Sequence, residues 1–377
     1  MCSRLAVTAL ALATAATVSA AVPATAAGPD AVQRALDATV HPDRVPGASA
    51  TVKAPGEKPR TYTAGVAERV TGAKMPRDGQ VRIGSTTKTF TAVVALQLVG
   101  EGKINLDDPV EKHLPNLVRG KGIDGHGITV RQLLQHTSGL PDYEDDVTDD
   151  IVERRYLSPR DALDIALRHE AVFAPGEKDK WGKAKWGYSN TNYLVTGLIV
   201  EKVTGRPFPE EVDKRVIRKI GLRHTYFPDP GETTIRERHP QGYRQDRADA
   251  PLRDVTQVDP SASWSAGAMV STDSDLTRFF SELMKEGHLL DKPQLDQMRA
   301  TVETPKPGVE YGLGIMRTRL SCGRVVWGHN GAIPGYGTWA GATRKGDRAA
   351  SVTMTAEPKS YEAAEAMEGV LDKALCR

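Results

Sequence analysis

Ser85 and Lys88 stand three residues apart in Ser85-Thr86-Thr87-Lys88, a Ser-x-x-Lys spacing that occurs once in the chain. On a helix that spacing puts both side chains on one face, where an amine can take the proton of a hydroxyl that is otherwise a poor nucleophile. Acting as a base requires a neutral Lys88, so burial or nearby positive charge, including the helix N-terminus, must lower its pKa. Chance supplies such pairs often, and most are solvated helix ends. This one is followed, in order, by Tyr188-Ser189-Asn190 and His329-Asn330-Gly331, each of which also occurs once. Tyrosine can pass a proton, asparagine can hold an amide, histidine is a titratable cation, and glycine lets a ligand approach the backbone.

The surrounding pattern says what positions these groups. Residues 85–101, STTKTFTAVVALQLVGE, place Phe90, Val93, Val94 and Leu98 on one face at helical spacing, with Gly102 as the stop, so Ser85 falls at a helix N-terminus. Before it, GASATVK and residues 62–67 read as strands joined by a Pro-Gly-Glu-Lys-Pro turn. The middle of the chain is helical in pattern: Thr129 to Gln132 caps LLQH, Ser158-Pro159 opens ALDIALRH, TNYLVTGLIVEKVTG stops at Gly205, and Thr272 opens SDLTRFFSELMKEG. His136-Thr137-Ser138-Gly139 reads as no more than a helix C-terminus. Strand pattern returns at 324–327, 336–343 and 348–355, with a Lys345-Gly346-Asp347 turn, and an Ala-rich helix starts at residue 361. The assembly expected is an α+β fold: one antiparallel sheet from both chain ends, flanked by helices, with a mostly helical insertion.

At the three motifs the sequence resembles the serine β-lactamase and penicillin-binding-protein superfamily, in its class C β-lactamase and D-Ala-D-Ala carboxypeptidase branch. The likeness extends to ITVRQLLQHTSGLPDY, Ala174-Pro175-Gly176, SAGAMVST and YGLGI, nearly the whole chain after the first residues. It implies a β-lactamase/transpeptidase-like domain over 28–377, its sheet part in 28–102 and 261–377 and its insertion in 103–260. Ser85 would form an acyl-enzyme, Lys88 would take or relay the proton, and Tyr188 would pass one to the leaving amine, with either of the last two open as the acylation base. Asn190 would bind the substrate amide and hold Lys88. His329, Asn330 and Gly331 would edge the cleft, and the N–H groups of Ser85 and Ala332 would form the oxyanion hole.

The reaction implied is hydrolysis of D-amino-acid peptide or amide bonds, in the first place D-Ala-D-Ala carboxypeptidase action on cell-wall stem peptides. The alternatives are a class C-like β-lactamase or small-ester hydrolase, and a non-catalytic penicillin-binding module. Two departures bear on the substrate: Asn330 stands where carboxypeptidase relatives often carry threonine, and Met316, beside Arg317 and Arg319, stands in place of a carboxylate-gripping arginine. The segment KDKWGKAKWG before Tyr188 is also longer than usual. Among Trp181, Trp186, Trp264, Trp327 and Trp339, Trp264 and Trp339 are the expected cleft residues because they flank these motifs.

The whole chain sets outer limits. Its 377 residues are 39% hydrophobic, enough for a large core, and 50 basic against 48 acidic residues leave +2 with no run of like charge, so neither nucleic acid nor an acidic membrane is indicated. Residues 1–26 carry Arg4, an Ala/Leu/Val/Thr run and a closing Ala24-Thr25-Ala26, the pattern of a cleaved signal peptide and hence of a secreted protein without a membrane anchor. Cys2 would leave with that segment, and Cys322 and Cys376 would pair in an oxidising exterior. The nine histidines show no metal-ligand spacing, so neither a metal nor another cofactor is expected.

Overall fold

The computed structural model describes residues 30–147, 155–247, 250–357 and 361–376; the expected signal peptide lies outside them. Nine strands form the main sheet: β1 (Gly47–Lys53), β2 (Arg60–Glu68), β3 (Ala73–Lys74), β4 (Val302–Glu303), β5 (Val309–Tyr311), β6 (Met316–Arg319), β7 (Val325–Ile333), β8 (Tyr336–Thr343) and β9 (Ala349–Met354). Their spatial order is β4-β5-β6-β7-β8-β9-β1-β2-β3, with antiparallel neighbours. The two ends of the chain meet where β1 pairs β9, from Ala48↔Met354 to Lys53↔Ala349. This is the expected α+β architecture. The short strands β4 to β6 carry two to four residues each, too few for an alternation to register in sequence.

The helices include α1 (Ala31–Asp37), α2 (Thr87–Gly100), α3 (Val130–Gln135), α4 (Pro159–Ala166), α5 (Asn190–Thr204), α6 (Asp273–Leu283) and α7 (Tyr361–Leu375). Side-chain alternation along the sheet strands feeds two cores. Val326 and Trp339 join α1 and α7 through Leu36, Val370 and Leu371, whereas Trp327 and Ile333 join α2, α5 and α6 on the other face. Helix α2 departs from the expected single apolar face, since all residues from Thr87 to Leu96 are buried. Two of its threonines make this possible by spending their hydroxyls on main-chain carbonyls: Thr89 Oγ1 donates to Gly314 O at 2.8 Å and Thr91 Oγ1 to Ser265 O at 2.6 Å. It is a central helix, braced from every side, and its first turn carries Lys88.

Local signals act as read. Thr129 and Gln132 form a reciprocal capping box at the start of α3, Ser158 caps α4 ahead of Pro159, and Gly205 ends α5 at φ 66°. Helix α6 ends at Leu283, four residues short of the expected glycine stop, and Gly287 serves the turn beyond it at φ 77°. Cys322 and Cys376 are disulfide-bonded, tying the β6–β7 turn to the end of α7. No helix among the described residues is long and apolar enough to cross a membrane.

Candidate active site

Ser85 occupies a single tight turn, Gly84–Thr86, that runs directly into α2. The turn is pressed against β7. A Cβ on Gly84, whose φ is +49°, would come within 2.8 Å of Ala332 N, and a Cβ on Gly331 would come within 2.0 Å of Ile83 O. Glycine at both positions is thus what lets the serine turn and the strand meet, and it brings Ser85 beside Ala332.

Lys88 is fully buried one turn further on. Its Nζ lies 3.0 Å from Ser85 Oγ, 2.6 Å from Asn190 Oδ1 and 2.9 Å from Ala266 O. As an ammonium ion it donates to all three. As a neutral amine it has two N–H bonds and one lone pair, and Asn190 Oδ1 and Ala266 O can only accept, so the lone pair must face the Ser85 hydroxyl. Burial lowers its pKa to about 8, against the opposing pull of Glu144 and Asp142. Asn190 opens α5, and Asp142 fixes which way its amide points: Asp142 Oδ2 accepts from Asn190 Nδ2 at 3.0 Å and from its backbone N at 3.1 Å.

Tyr188 lies over this pair, with Lys88 Nζ 4.9 Å from its ring centroid, and 37% of the residue is exposed to the cleft. Dense surroundings and the neighbouring Tyr311 push its pKa well above the ordinary phenol value, outweighing the lowering influence of the nearby Ser85 hydroxyl. It is a protonated phenol beside the serine.

His329 is not where the motif suggested. Alternation along β7 exposes Asn330 and Ala332 while His329 and Gly331 turn inward. The His329 ring is spent: Nδ1 meets Asn330 O at 2.5 Å and Nε2 meets Tyr311 Oη at 2.9 Å, a pattern that fits a neutral ring donating through Nδ1. Burial drives its pKa down to about 3, with Lys88 adding to the effect. It neither lines the cleft nor supplies a cation there.

The cleft has a volume of about 520 Å³, with Ser85, Tyr188, Asn190, Asn330 and Ala332 on its wall. Trp186, Tyr311 and Met316 give it an apolar side, and Glu144 and Glu357 add carboxylates. Lys306, the one basic lining residue among the described residues, is paired with Glu368. Among the described residues, no group of three His, Cys, Asp or Glu side chains is placed to hold a metal ion.

The sequence profile of the Beta-lactamase family matches residues 32–373. The chain belongs to the Beta-lactamase family. This is a family of serine hydrolases acting on amide and peptide bonds. Among solved structures, the chain is similar to a D-stereospecific amidohydrolase from Streptomyces sp. (41% identity, 90% of this chain and 98% of that one, TM-score 0.80). It is also similar to a D-amino acid amidase from Ochrobactrum anthropi SV3 (27% identity, 91% and 97%, TM-score 0.77). Among curated proteins it is 28% identical to Protein flp of Staphylococcus aureus over 55% of this chain, a match spanning 40% of that relative's length.

Within this Beta-lactamase family chain, the tryptophan expectation needs correcting. Trp339 is 3% exposed in the core under α1 and α7, and Trp264 packs on Phe208 at 5.3 Å between ring centroids, so neither lines the cleft; Trp186 does. Sequence reasoning also passed over Asp142, Glu144, Tyr311 and Glu357. Asp142 lies within the LPDY stretch and Glu144 directly follows it, so that stretch is the available signal. Tyr311 opens YGLGI, whereas nothing local distinguishes Glu357.

Proposed function

We propose that the protein is a serine amidohydrolase that forms an acyl-enzyme on Ser85 and cleaves amides of D-configured amino acids or short peptides with a free amino group. The observation that carries the reaction type is the Lys88 environment, in which two acceptor-only partners leave the neutral amine's lone pair to Ser85 Oγ. With a pKa of about 8, roughly a tenth of Lys88 is neutral at pH 7.

Lys88 takes the hydroxyl proton as Ser85 Oγ attacks the carbonyl carbon, and the backbone N–H groups of Ser85 and Ala332 stabilise the oxyanion. Tyr188 gives its phenolic proton to the leaving nitrogen and recovers one from the Lys88 ammonium, so the C–N bond breaks without expelling an amide anion. Water then repeats the sequence on the ester. The high phenol pKa favours Tyr188 as the acid and Lys88 as the base.

The cleft chemistry supports an amine-bearing substrate. Glu144 and Glu357 line it, while Lys306 is paired and the Met316 position offers no cation, which speaks against a grip on a free C-terminal carboxylate. D-configuration is supported by the names of the amidohydrolase and amidase similar to this chain. Export belongs to the same proposal, and the Cys322–Cys376 bond fits an oxidising compartment.

The test is direct comparison of substrates. D-alanine amide and D-phenylalanine amide should release ammonia, their N-acetylated forms should react at least 100-fold more slowly, and a Ser85→Ala variant should do nothing. Faster release of D-Ala from acetylated Lys-D-Ala-D-Ala than of ammonia from the amides would restore the carboxypeptidase reading, and rapid nitrocefin turnover would favour a β-lactamase.

A further inference from the structure

His136 closes α3 in the left-handed region, at φ 60° and ψ 35°, which is costly for a residue with a side chain. A glycine would relieve that backbone, so the imidazole's presence asks for another reason. Three contacts converge on Tyr188. The His136 carbonyl accepts from Gly187 N at 3.0 Å, and its Nδ1 accepts from Ser189 N at 3.2 Å, so one residue fastens the chain on both sides of the tyrosine. Its ring lies against the Tyr188 ring, with centroids 4.4 Å apart and planes 30° from parallel.

The ring itself is fixed from behind. Asn192 Nδ2 also reaches Nδ1, at 3.1 Å, and Tyr311, Tyr193 and Trp186 surround it with centroids at 4.9, 5.3 and 5.7 Å. A backbone N–H can only donate, so Nδ1 carries no proton and the ring is the neutral Nε2–H tautomer.

We infer that His136 is a positioning residue for Tyr188, holding the phenol at the angle from which it delivers a proton to the leaving nitrogen. The left-handed cap is what points the carbonyl and the ring of one residue at the same partner. The inference rests on the role proposed above for Tyr188. It predicts a defect specific to poor leaving groups, because a p-nitrophenolate departs without a proton whereas an amine does not.

The experiment compares His136→Asn, which tolerates the left-handed backbone and keeps a side-chain acceptor, with His136→Gly, which relieves the backbone and removes the ring. Each is assayed on a D-amino acid amide and on the matching p-nitrophenyl ester. The amide kcat is expected to fall about 100-fold and the ester rate by less than about fivefold, with KM little changed. In a Tyr188→Phe background the same substitutions should cost almost nothing more. Equal loss on both substrates, or full additivity with Tyr188→Phe, would reduce His136 to a fold residue and overturn the inference.

A readout independent of turnover separates this outcome from failure of the proposed reaction. With 3-fluorotyrosine incorporated, the Tyr188 fluorine resonance, assigned by its absence in Tyr188→Phe, should shift or broaden in His136→Gly. An unchanged resonance in a folded variant would also overturn the inference, whatever substrate the enzyme uses.

Discussion

On one side of the cleft, β7 is paired with β8 without a break from Val326↔Thr343 to Ile333↔Tyr336, and β6 anchors its first half from Val325 to Gly328. Where Asn330 and Ala332 sit therefore depends little on the side chains they carry. The opposite wall, residues 136–144 facing 186–192, is tied by side chains. Thr191 Oγ1 and Ser189 Oγ both donate to Pro141 O, at 2.7 and 3.1 Å, Ser138 Oγ meets Asn192 Oδ1 at 2.5 Å, and Tyr143 Oη donates to Ala262 O at 2.5 Å. A wall made of a ladder tolerates substitution, and a wall made of side-chain hydrogen bonds does not. In this molecule the base, its asparagine partner and the tyrosine all lean on the second kind.

The largest difference should appear when one residue is truncated on each wall. Asp142→Ala frees both the amide and the backbone N–H of Asn190, so Lys88 loses its orientation, and kcat should fall about 100-fold. Asn330→Ala removes a single exposed side chain and should cost less than about tenfold. Steady-state kinetics on a D-amino acid amide, with circular dichroism to confirm folding, measures both. Comparable losses would mean that the two walls are not mechanically distinct.

A smaller effect concerns tuning of the base. Lys88 must lose its proton to act, so kcat, measured with substrate saturating, should rise with pH through about 8. Burial sets that position, and Glu144 opposes it by favouring the ammonium form. Glu144→Gln should therefore move the rising limb to lower pH, by on the order of half a unit given the exposure of Glu144. A pH–rate profile that stays in place would show that the carboxylate does not reach Lys88.

The same contrast explains what the sequence disclosed. Ser85 and Lys88 are legible because their geometry is local, a three-residue spacing on one helix. The paired strands and capped helices are legible because periodicity and caps are short-range signals. Asp142 is illegible as a positioning group because its partner lies 48 residues away, and nothing in LPDY announces which side chain it will meet. The sequence of helix α2 shows only one buried face because threonines count as polar until their hydroxyl acceptors are known. His136 reads as a helix end, and it is one; that the end also supports Tyr188 depends on how α3 approaches α5.

The smallest effect is the one expected of His329, which the motif cast as a titratable cation facing substrate. Both ring nitrogens are engaged inside the protein, and burial holds its pKa near 3. The pH–rate profile should therefore contain no histidine limb between pH 5 and 8, and the His329 carbon resonances in a 13C-histidine-labelled sample should not titrate over that range. A titration midpoint near the ordinary imidazole value would place a charge on the ladder wall and remove the distinction between the walls. Without it, no limb of the profile belongs to β7, which contributes shape and backbone N–H groups rather than charge.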